Sequence, residues 1–141
     1  MSDSASHPFA VHYRSLPEDE RCDALYGLEA EYTPELFDVL CAIAADQDDD
    51  DLARIEAVKV LCLSDASADA ETGARLLAFV LGLVVGDPDD DVRLHALHAL
   101  QWLPPTALAT PAARACLLTV ARTDSCPLVR EDAQALVEGR P

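Results

Sequence analysis

The sequence predicts an all-α fold made of repeated helical hairpins, and three observations indicate it. Of the 141 residues, 24 are Ala and 21 are Leu, whereas 11 are Val and 2 are Ile, a composition that favours helices over strands. A pattern of Arg, two residues, Ala, three residues and an aliphatic residue occurs four times. Each copy lies in a stretch whose apolar positions recur every three and four residues, as on an amphipathic helix. The recurrence indicates a helical repeat protein.

The four copies place the second helix of each repeat. They begin at Arg21, Arg54, Arg93 and Arg130, which are 33, 39 and 37 residues apart. The first helices are predicted over 36–45, 71–85 and 112–122, and Thr33-Pro34 and Thr110-Pro111 have the cap-then-proline order of helix starts. A terminal helix over 17–32 completes a layout of about seven helices. Residues 1–14 are expected to form a flexible arm, and residues 15–141 a single domain.

One segment resembles a known repeat signature. Asp87-Pro88-Asp89-Asp90-Asp91-Val92-Arg93, followed by Ala96, Ala99 and Leu100, is similar to the D-x-x-x-V-R-x-x-A-x-x-A-L pattern of the HEAT-like repeat family. Weaker copies surround Arg54 and Arg130, and the likeness covers roughly residues 33–138. The resemblance implies a right-handed α-α superhelix, with the second helices on its concave side.

The same resemblance implies a role for the four repeated arginines. In the family they form a structural ladder, in which each guanidinium binds carboxylates or carbonyls in the turns of its own or the neighbouring repeat. Bidentate geometry makes arginine suited to such contacts. We therefore expect Arg93→Ala to lower the melting temperature more than it alters any binding surface.

The charge balance restricts the partners. The chain has 26 Asp and Glu against 10 Lys and Arg, a formal net charge of -16, which opposes binding to nucleic acid and favours a basic protein partner. The longest uncharged apolar stretch, 76–85, has ten residues, so we expect neither a membrane span nor a signal peptide. Five cysteines without a C-x-x-C pair indicate reduced thiols in a cytoplasmic protein.

Aspartates cluster before two of the second helices. Capping of the helix starts is one explanation, and an acidic ridge that engages a basic protein is the other. The candidate ridge residues are Asp49, Asp50, Asp89 and Asp90. Calcium is disfavoured, because these runs lack the Gly and distal Glu of an EF-hand loop, and no metal ligand set is predicted.

A second candidate surface lies on the helices that begin with the repeated arginines. His95, His98 and Trp102 follow one another at i, i+3 and i+7 and therefore share a stripe. Shifting this stripe by the repeat spacing adds Asp23, Glu56, Tyr26 and Lys59. An aromatic residue among acids and histidines is a suitable anchor for a protein partner. The alternative is that Trp102 packs beneath the Pro104-Pro105 turn.

The motifs of catalysis are scarce, so the chain is predicted to be a binding protein without a cofactor and not an enzyme. The specific hypothesis is an immunity protein or antitoxin that neutralises a basic toxin or nuclease effector and is a monomer when free. One alternative is a generic repeat scaffold or adaptor. Another, which the family resemblance suggests, is a bilin lyase-like enzyme with an apolar groove near Trp102, His95 and His98.

Overall fold

The computed structural model describes residues 6–139, and within them nine α-helices occur without any β-strand. The helices are α1 (Pro8–Ser15), α2 (Glu18–Leu25), α3 (Pro34–Ala45), α4 (Asp51–Leu63), α5 (Ala70–Gly86), α6 (Asp90–Ala99), α7 (Pro105–Leu108), α8 (Pro111–Thr123) and α9 (Pro127–Val137). Short 3-10 segments follow α2, α4 and α6. The predicted all-α class is confirmed, and the short α1 and α7 add to the seven helices expected.

The helices form two layers. Each outer helix pairs with the inner helix that follows it, α3 with α4, α5 with α6 and α8 with α9. The inner helices contact one another in chain order, from α2 through α4 and α6 to α9. One continuous apolar core joins the layers, with Leu40, Leu61 and Leu97 among its fully buried side chains. Each unit therefore contacts its sequence neighbours, as repeats in a stack do.

Side-chain caps fix where the helices begin. Asp50 accepts a hydrogen bond from the amide of Ala53 at the start of α4, and Thr110 accepts one from Ala113 at the start of α8. Asp89 caps α6 through two amides of its first turn. These bonds satisfy donors that a helix start leaves free.

The terminal helix predicted over 17–32 is wrong in its length. It divides into α2 and the 3-10 segment Leu28–Glu31, because Gly27 between them has a φ of 80°. Glycine adopts this left-handed conformation without a steric penalty. A residue in that conformation ends an α-helix.

The N-terminal arm expected over residues 1–14 also needs correction. Residues 8–15 form α1, whose Tyr13 side chain is buried, while residues 1–5 lie outside the described part of the chain. The Tyr13 hydroxyl donates to Asp49 Oδ2 at 2.6 Å, and its ring lies beneath the Arg21 guanidinium. This contact attaches α1 to the domain, and a sequence scan for apolar periodicity has no means of finding it.

Replacing Tyr13 by phenylalanine is expected to loosen α1. The substitution keeps the ring but removes a hydrogen bond to a carboxylate, worth about 1.5–3 kcal/mol. Amide hydrogen exchange in α1 should become faster, while exchange in α6 stays unchanged. Tyr26→Phe is the matched control, because Tyr26 is 74% exposed. Unaltered exchange throughout α1 in Tyr13→Phe would contradict the attachment.

Candidate interaction surface

An arginine on each of the first three inner helices binds an aspartate in the turn before the next inner helix. The pairs are Arg21 with Asp49, Arg54 with Asp87 and Arg93 with Asp124. We call these three pairs the Arg–Asp ladder. Because each pair joins consecutive repeats, the ladder fixes how one inner helix lies against the next.

The ladder arginines are held at several points. Arg93 donates from Nε and Nη2 to the two carboxylate oxygens of Asp124, at 3.0 and 3.1 Å, and from Nη1 to the carbonyl oxygen of Asp87 at 3.0 Å. Arg54 binds the Asp87 carboxylate through both terminal nitrogens, and its Nε donates to the carbonyl oxygen of Ala44. Arg54 is 2% exposed and Arg93 is 8% exposed. Both guanidinium groups are thus removed from water and compensated by protein acceptors.

The ladder contacts shift the pKa values of Asp124, Arg93 and Arg21. Burial by itself would raise the pKa of Asp124, but the hydrogen bonds from Arg93 and from the amide of Cys126 bring that pKa below its ordinary value. The hydrogen bond with Asp124 raises the pKa of Arg93, and that with Asp49 raises the pKa of Arg21. The Arg93–Asp124 pair is therefore ionised at neutral pH.

The fourth repeated arginine is different. Arg130 donates from Nη1 to the carbonyl oxygen of Asp124 at 2.7 Å, and within residues 6–139 it has no carboxylate partner. Arg130, predicted as the fourth ladder arginine, therefore makes the contact to the turn before its own helix. Within residues 6–139 it does not make the contact to an aspartate that the other three arginines make.

The aspartates predicted to bind a partner fall into different roles. Asp49 belongs to the ladder: its side chain is 3% exposed and binds Arg21 and Tyr13, so its prediction as a surface residue is wrong. Asp50 and Asp89 are half-buried caps, and Asp90 in the first turn of α6 is exposed. Sequence position alone does not separate these roles, because all four acids precede an inner helix.

A surface on the inner helices brings together most of the predicted stripe. We call it the inner-helix face, and its exposed or half-buried residues are Asp23, Tyr26, Lys59, Leu63, His95, His98, Trp102 and Asp132. Lys59 Nζ lies 5.5 Å from the ring centroid of Tyr26 on the neighbouring helix. Farther along, His98 Nε2 lies 2.6 Å from Asp132 Oδ2, which links α6 to α9. The face thus continues across all four inner helices.

Two side chains of this face are large and exposed. Tyr26 is 74% exposed and Trp102 is 47% exposed, so Trp102 is not enclosed beneath the Pro104-Pro105 turn. Leu63, 40% exposed, was missed by sequence reasoning. Leu63 lies 39 residues before Trp102, and 39 is also the spacing between Arg54 and Arg93. Applying the repeat spacing to Trp102, as was done for His95 and His98, would therefore have identified Leu63.

Glu56 does not belong to the exposed face. It is 8% exposed, and its carboxylate lies 3.9 Å from Lys59 Nζ. The 3-10 segment Leu28–Glu31 and α2 both pack against α4, the helix that carries Glu56. Burial raises the pKa of Glu56, and the negative charge of Glu29 raises it further, while Lys59 opposes the shift.

The replacement Glu56→Gln is expected to stabilise the fold at neutral pH. Since the pKa of Glu56 is higher in the folded than in the unfolded chain, its charged form disfavours folding at every pH above the folded-state value. The penalty fades as the pH falls through that value and is absent below the ordinary glutamate pKa of about 4.3. Melting curves should therefore show a gain for Glu56→Gln at pH 7 and none at pH 4. A loss of stability at pH 7 would indicate that the attraction between Glu56 and Lys59 exceeds the cost of burying the Glu56 charge. Glu71→Gln, at an exposed glutamate, is the control.

The surface charge is strongly negative even after internal pairing. Within the described residues, 16 Asp and Glu side chains are exposed, against the four exposed arginines Arg14, Arg75, Arg114 and Arg122. Carboxylate oxygens of Asp51, Asp89 and Asp91 approach within 4.8 Å of one another where α4 and α6 begin. The acidic composition therefore remains a property of the surface, although the ladder uses three of the aspartates.

Two of the thiols are poorly suited to nucleophilic chemistry. All five cysteines are free, and burial raises the pKa of Cys41 and of Cys62 to about 12. Because the thiolate is the reactive form, these two thiols are inert at neutral pH.

The stacked hairpins and the ladder define the class: an α-helical repeat protein with an open face on its inner helices. The family model for HEAT repeats matches residues 37–137, and the protein belongs to the HEAT repeat family, as its signature indicated. Comparisons with curated proteins and with solved structures give no significant match. Repeat stacks of this kind are typically scaffolds for protein interaction, and no described helix has the length and apolarity needed to cross a bilayer.

Proposed function

We propose that this protein binds a basic protein partner on its inner-helix face, and that it acts in the cytoplasm as an immunity protein or antitoxin against a basic toxin or nuclease effector. It has no catalytic role in this proposal. The observation that carries the proposal is the exposure of Tyr26, after α2, and of Trp102, after α6, on a face whose surroundings are acidic.

The aromatic side chains supply the attachment points. Large amphipathic rings contribute most to affinity when a partner covers them, because they bury much apolar area at a small cost in conformational entropy. Tyr26 on the C-terminal side of α2 and Trp102 after α6 leave room between them for Lys59 and His98. A partner that spans this distance contacts three repeats at once.

The surface charge supplies speed and selectivity. An excess of exposed carboxylates attracts a cationic protein over distances comparable to the Debye length, about 8 Å at physiological salt. Nuclease effectors suit this field, because the surface with which they bind phosphates is already basic. Occupying that surface with carboxylates would both capture and inhibit the enzyme.

The test begins with capture of the partner from the source cell and continues with the purified pair. We expect a basic effector whose activity is lost in the complex, and an affinity that falls about tenfold or more between 50 and 300 mM NaCl. An acidic partner bound with the same affinity at both salt concentrations would overturn the proposal, as would a complex in which the effector stays active.

A pair of double variants tests where the charge acts. Asp23→Asn with Asp90→Asn removes two exposed acids of the inner helices, whereas Glu35→Gln with Glu71→Gln removes two from outer helices. We expect the first pair to slow association with the basic effector more than the second. Equal slowing would mean that only the net charge matters, and the placement of the partner on the inner-helix face would be refuted.

A generic scaffold is the coarser form of the same function, in which the partner is neither toxic nor inhibited. The bilin lyase-like alternative has no observation in its favour. Three clefts of about 210, 330 and 250 Å³ lie in the described part, near Tyr13, near Thr119 and near Gly73, and the lining of each lacks Trp102, His95 and His98. The third is lined in part by Leu103 and Pro104, which follow Trp102 in the chain. His98 is instead engaged by Asp132.

A further inference from the structure

A cleft of about 210 Å³ lies between α1 and α3. The first pair of the Arg–Asp ladder, Arg21 with Asp49, forms part of its wall. Every residue that lines it belongs to the described part of the chain, and none of them belongs to the inner-helix face. The cleft is therefore separate from the surface assigned to the basic partner.

One part of the cleft wall is apolar. Ala10 of α1 and Val39 and Ile43 of α3 line it, and all three belong to the apolar core. Ala42, also on α3, lines it as an exposed residue. The volume restricts the occupant to a small molecule, because drug-sized ligands fill sites of about 300–1,000 Å³. An apolar group about as large as one amino-acid side chain suits this wall.

Charged side chains of both signs complete the lining. Arg14 and Arg21 contribute guanidinium groups, and Asp46 contributes an exposed carboxylate. The Arg21 side chain is 20% exposed, although Nε, Nη1 and Nη2 donate to Leu16, Asp49 and Arg14. Each terminal nitrogen of a guanidinium carries two N–H groups, so Arg21 retains donor capacity for a ligand.

Asp49, the other charged residue of the lining, is already engaged. Its carboxylate accepts hydrogen bonds from Arg21, from the Tyr13 hydroxyl and from the amide of Asp50, and its side chain is 3% exposed. Binding in the cleft therefore depends on Arg21 and Asp46. A free anion would meet the net charge of -16, and a cation would meet guanidinium groups, whereas a zwitterion offers each charged group its opposite.

We propose that the cleft binds a free α-amino acid with an apolar side chain. Its α-carboxylate accepts hydrogen bonds from Arg21, its α-ammonium donates to Asp46, and its side chain packs against Val39 and Ile43. Because one molecule must supply both charges, the terminal residue of a peptide does not satisfy the site. This binding site goes beyond the proposed function and does not depend on it.

Titration of the isotope-labelled full chain with L-leucine, followed by NMR, tests the ligand class. We expect saturable shifts of the Ala42 and Asp46 amides, with a dissociation constant below about 1 mM. L-Leucinamide lacks the carboxylate and N-acetyl-L-leucine lacks the ammonium, so each should bind at least about tenfold more weakly. Absence of a saturable shift up to about 10 mM L-leucine would overturn the proposal. Equal binding of either analogue would also overturn it, because the site would then not recognise a zwitterion.

Two pairs of variants test the location. Ala42→Leu fills the cleft and Asp46→Asn removes the charge that faces the ammonium, and each should weaken L-leucine at least about tenfold. The matched controls are Ala45→Leu and Asp48→Asn, which alter exposed residues outside the lining and should bind like the unaltered chain. Equal effects of a variant and its control would place the ligand elsewhere.

Amide hydrogen exchange gives an independent measurement of the same site. Because the ligand contacts both α1 and α3, L-leucine at about tenfold its dissociation constant should slow exchange in α1 about tenfold and leave α6 unchanged. Exchange in α1 that does not respond to L-leucine would contradict binding in this cleft.

Discussion

Replacement of Arg54 by alanine is expected to destabilise the fold by about 3–5 kcal/mol, because it leaves the buried Asp87 carboxylate without its counter-ion. Both side chains are nearly inaccessible to water, at 3% and 2% of their maximal exposure. For a chain of this length the loss corresponds to a fall in melting temperature of roughly 10–20 °C. Thermal unfolding followed by circular dichroism measures it, and Arg93→Ala should show a similar but smaller fall.

Arg130→Ala is the matched control for this prediction. It removes the same side chain from an equivalent helix position, but Arg130 has no carboxylate partner in the described residues, so the fall should be much smaller. The double variant Arg54→Met with Asp87→Leu should recover part of the loss, because no uncompensated charge then remains buried. Equal falls for Arg54→Ala and Arg130→Ala would show that the pairing with Asp87 contributes nothing to stability.

Much of the fold was accessible from the sequence because the repeats obey one periodicity. The arginine spacing located α4, α6 and α9, and the cap-then-proline starts located α3 and α8. These signals are local, since a helix start and an apolar stripe depend on residues close in the chain. The family assignment followed from the same pattern.

The errors arise where the first repeat departs from the others. Gly27 ends α2 early, and the 3-10 segment that follows packs against α4. Glu56 on α4 is buried, although the repeat shift had placed it in the same column as the exposed His95. Asp49 lies five residues before the repeated arginine of the helix that follows it, whereas Asp87 and Asp124 lie six residues before theirs. The repeat shift therefore did not distinguish Asp49 from its exposed neighbours. Burial of these two side chains depends on α1 and α2, whose packing no periodic pattern encodes.

The ladder and the proposed binding surface use different side chains along the inner helices. The ladder residues are buried or half-buried and are paired with one another, whereas Tyr26 and Trp102 extend into solvent and are absent from the apolar core. A helix can therefore change its exposed positions without disturbing the contacts between repeats. This separation makes the proposed binding surface testable without loss of the fold.

The double variant Tyr26→Ala with Trp102→Ala is expected to weaken binding of the basic effector by about thirtyfold or more, the effect typical of truncated aromatic anchors. The loss should lie in the dissociation rate, because the charges that steer association are untouched. Isothermal titration and stopped-flow measurements on the purified pair give both quantities. The melting temperature of the free variant should change little, since both side chains are exposed.

Val85→Ala is the control for this prediction, because Val85 is 60% exposed but lies near the end of the outer helix α5. It removes apolar surface from the opposite layer and should leave affinity unchanged. If Val85→Ala weakened binding as much as the aromatic pair does, the partner would lie on the outer helices. Should neither variant alter affinity while salt still does, the acidic edges rather than the aromatic anchors would carry the interaction. Because the two variants differ in layer and share their fold, the comparison assigns the partner to one side of the stack.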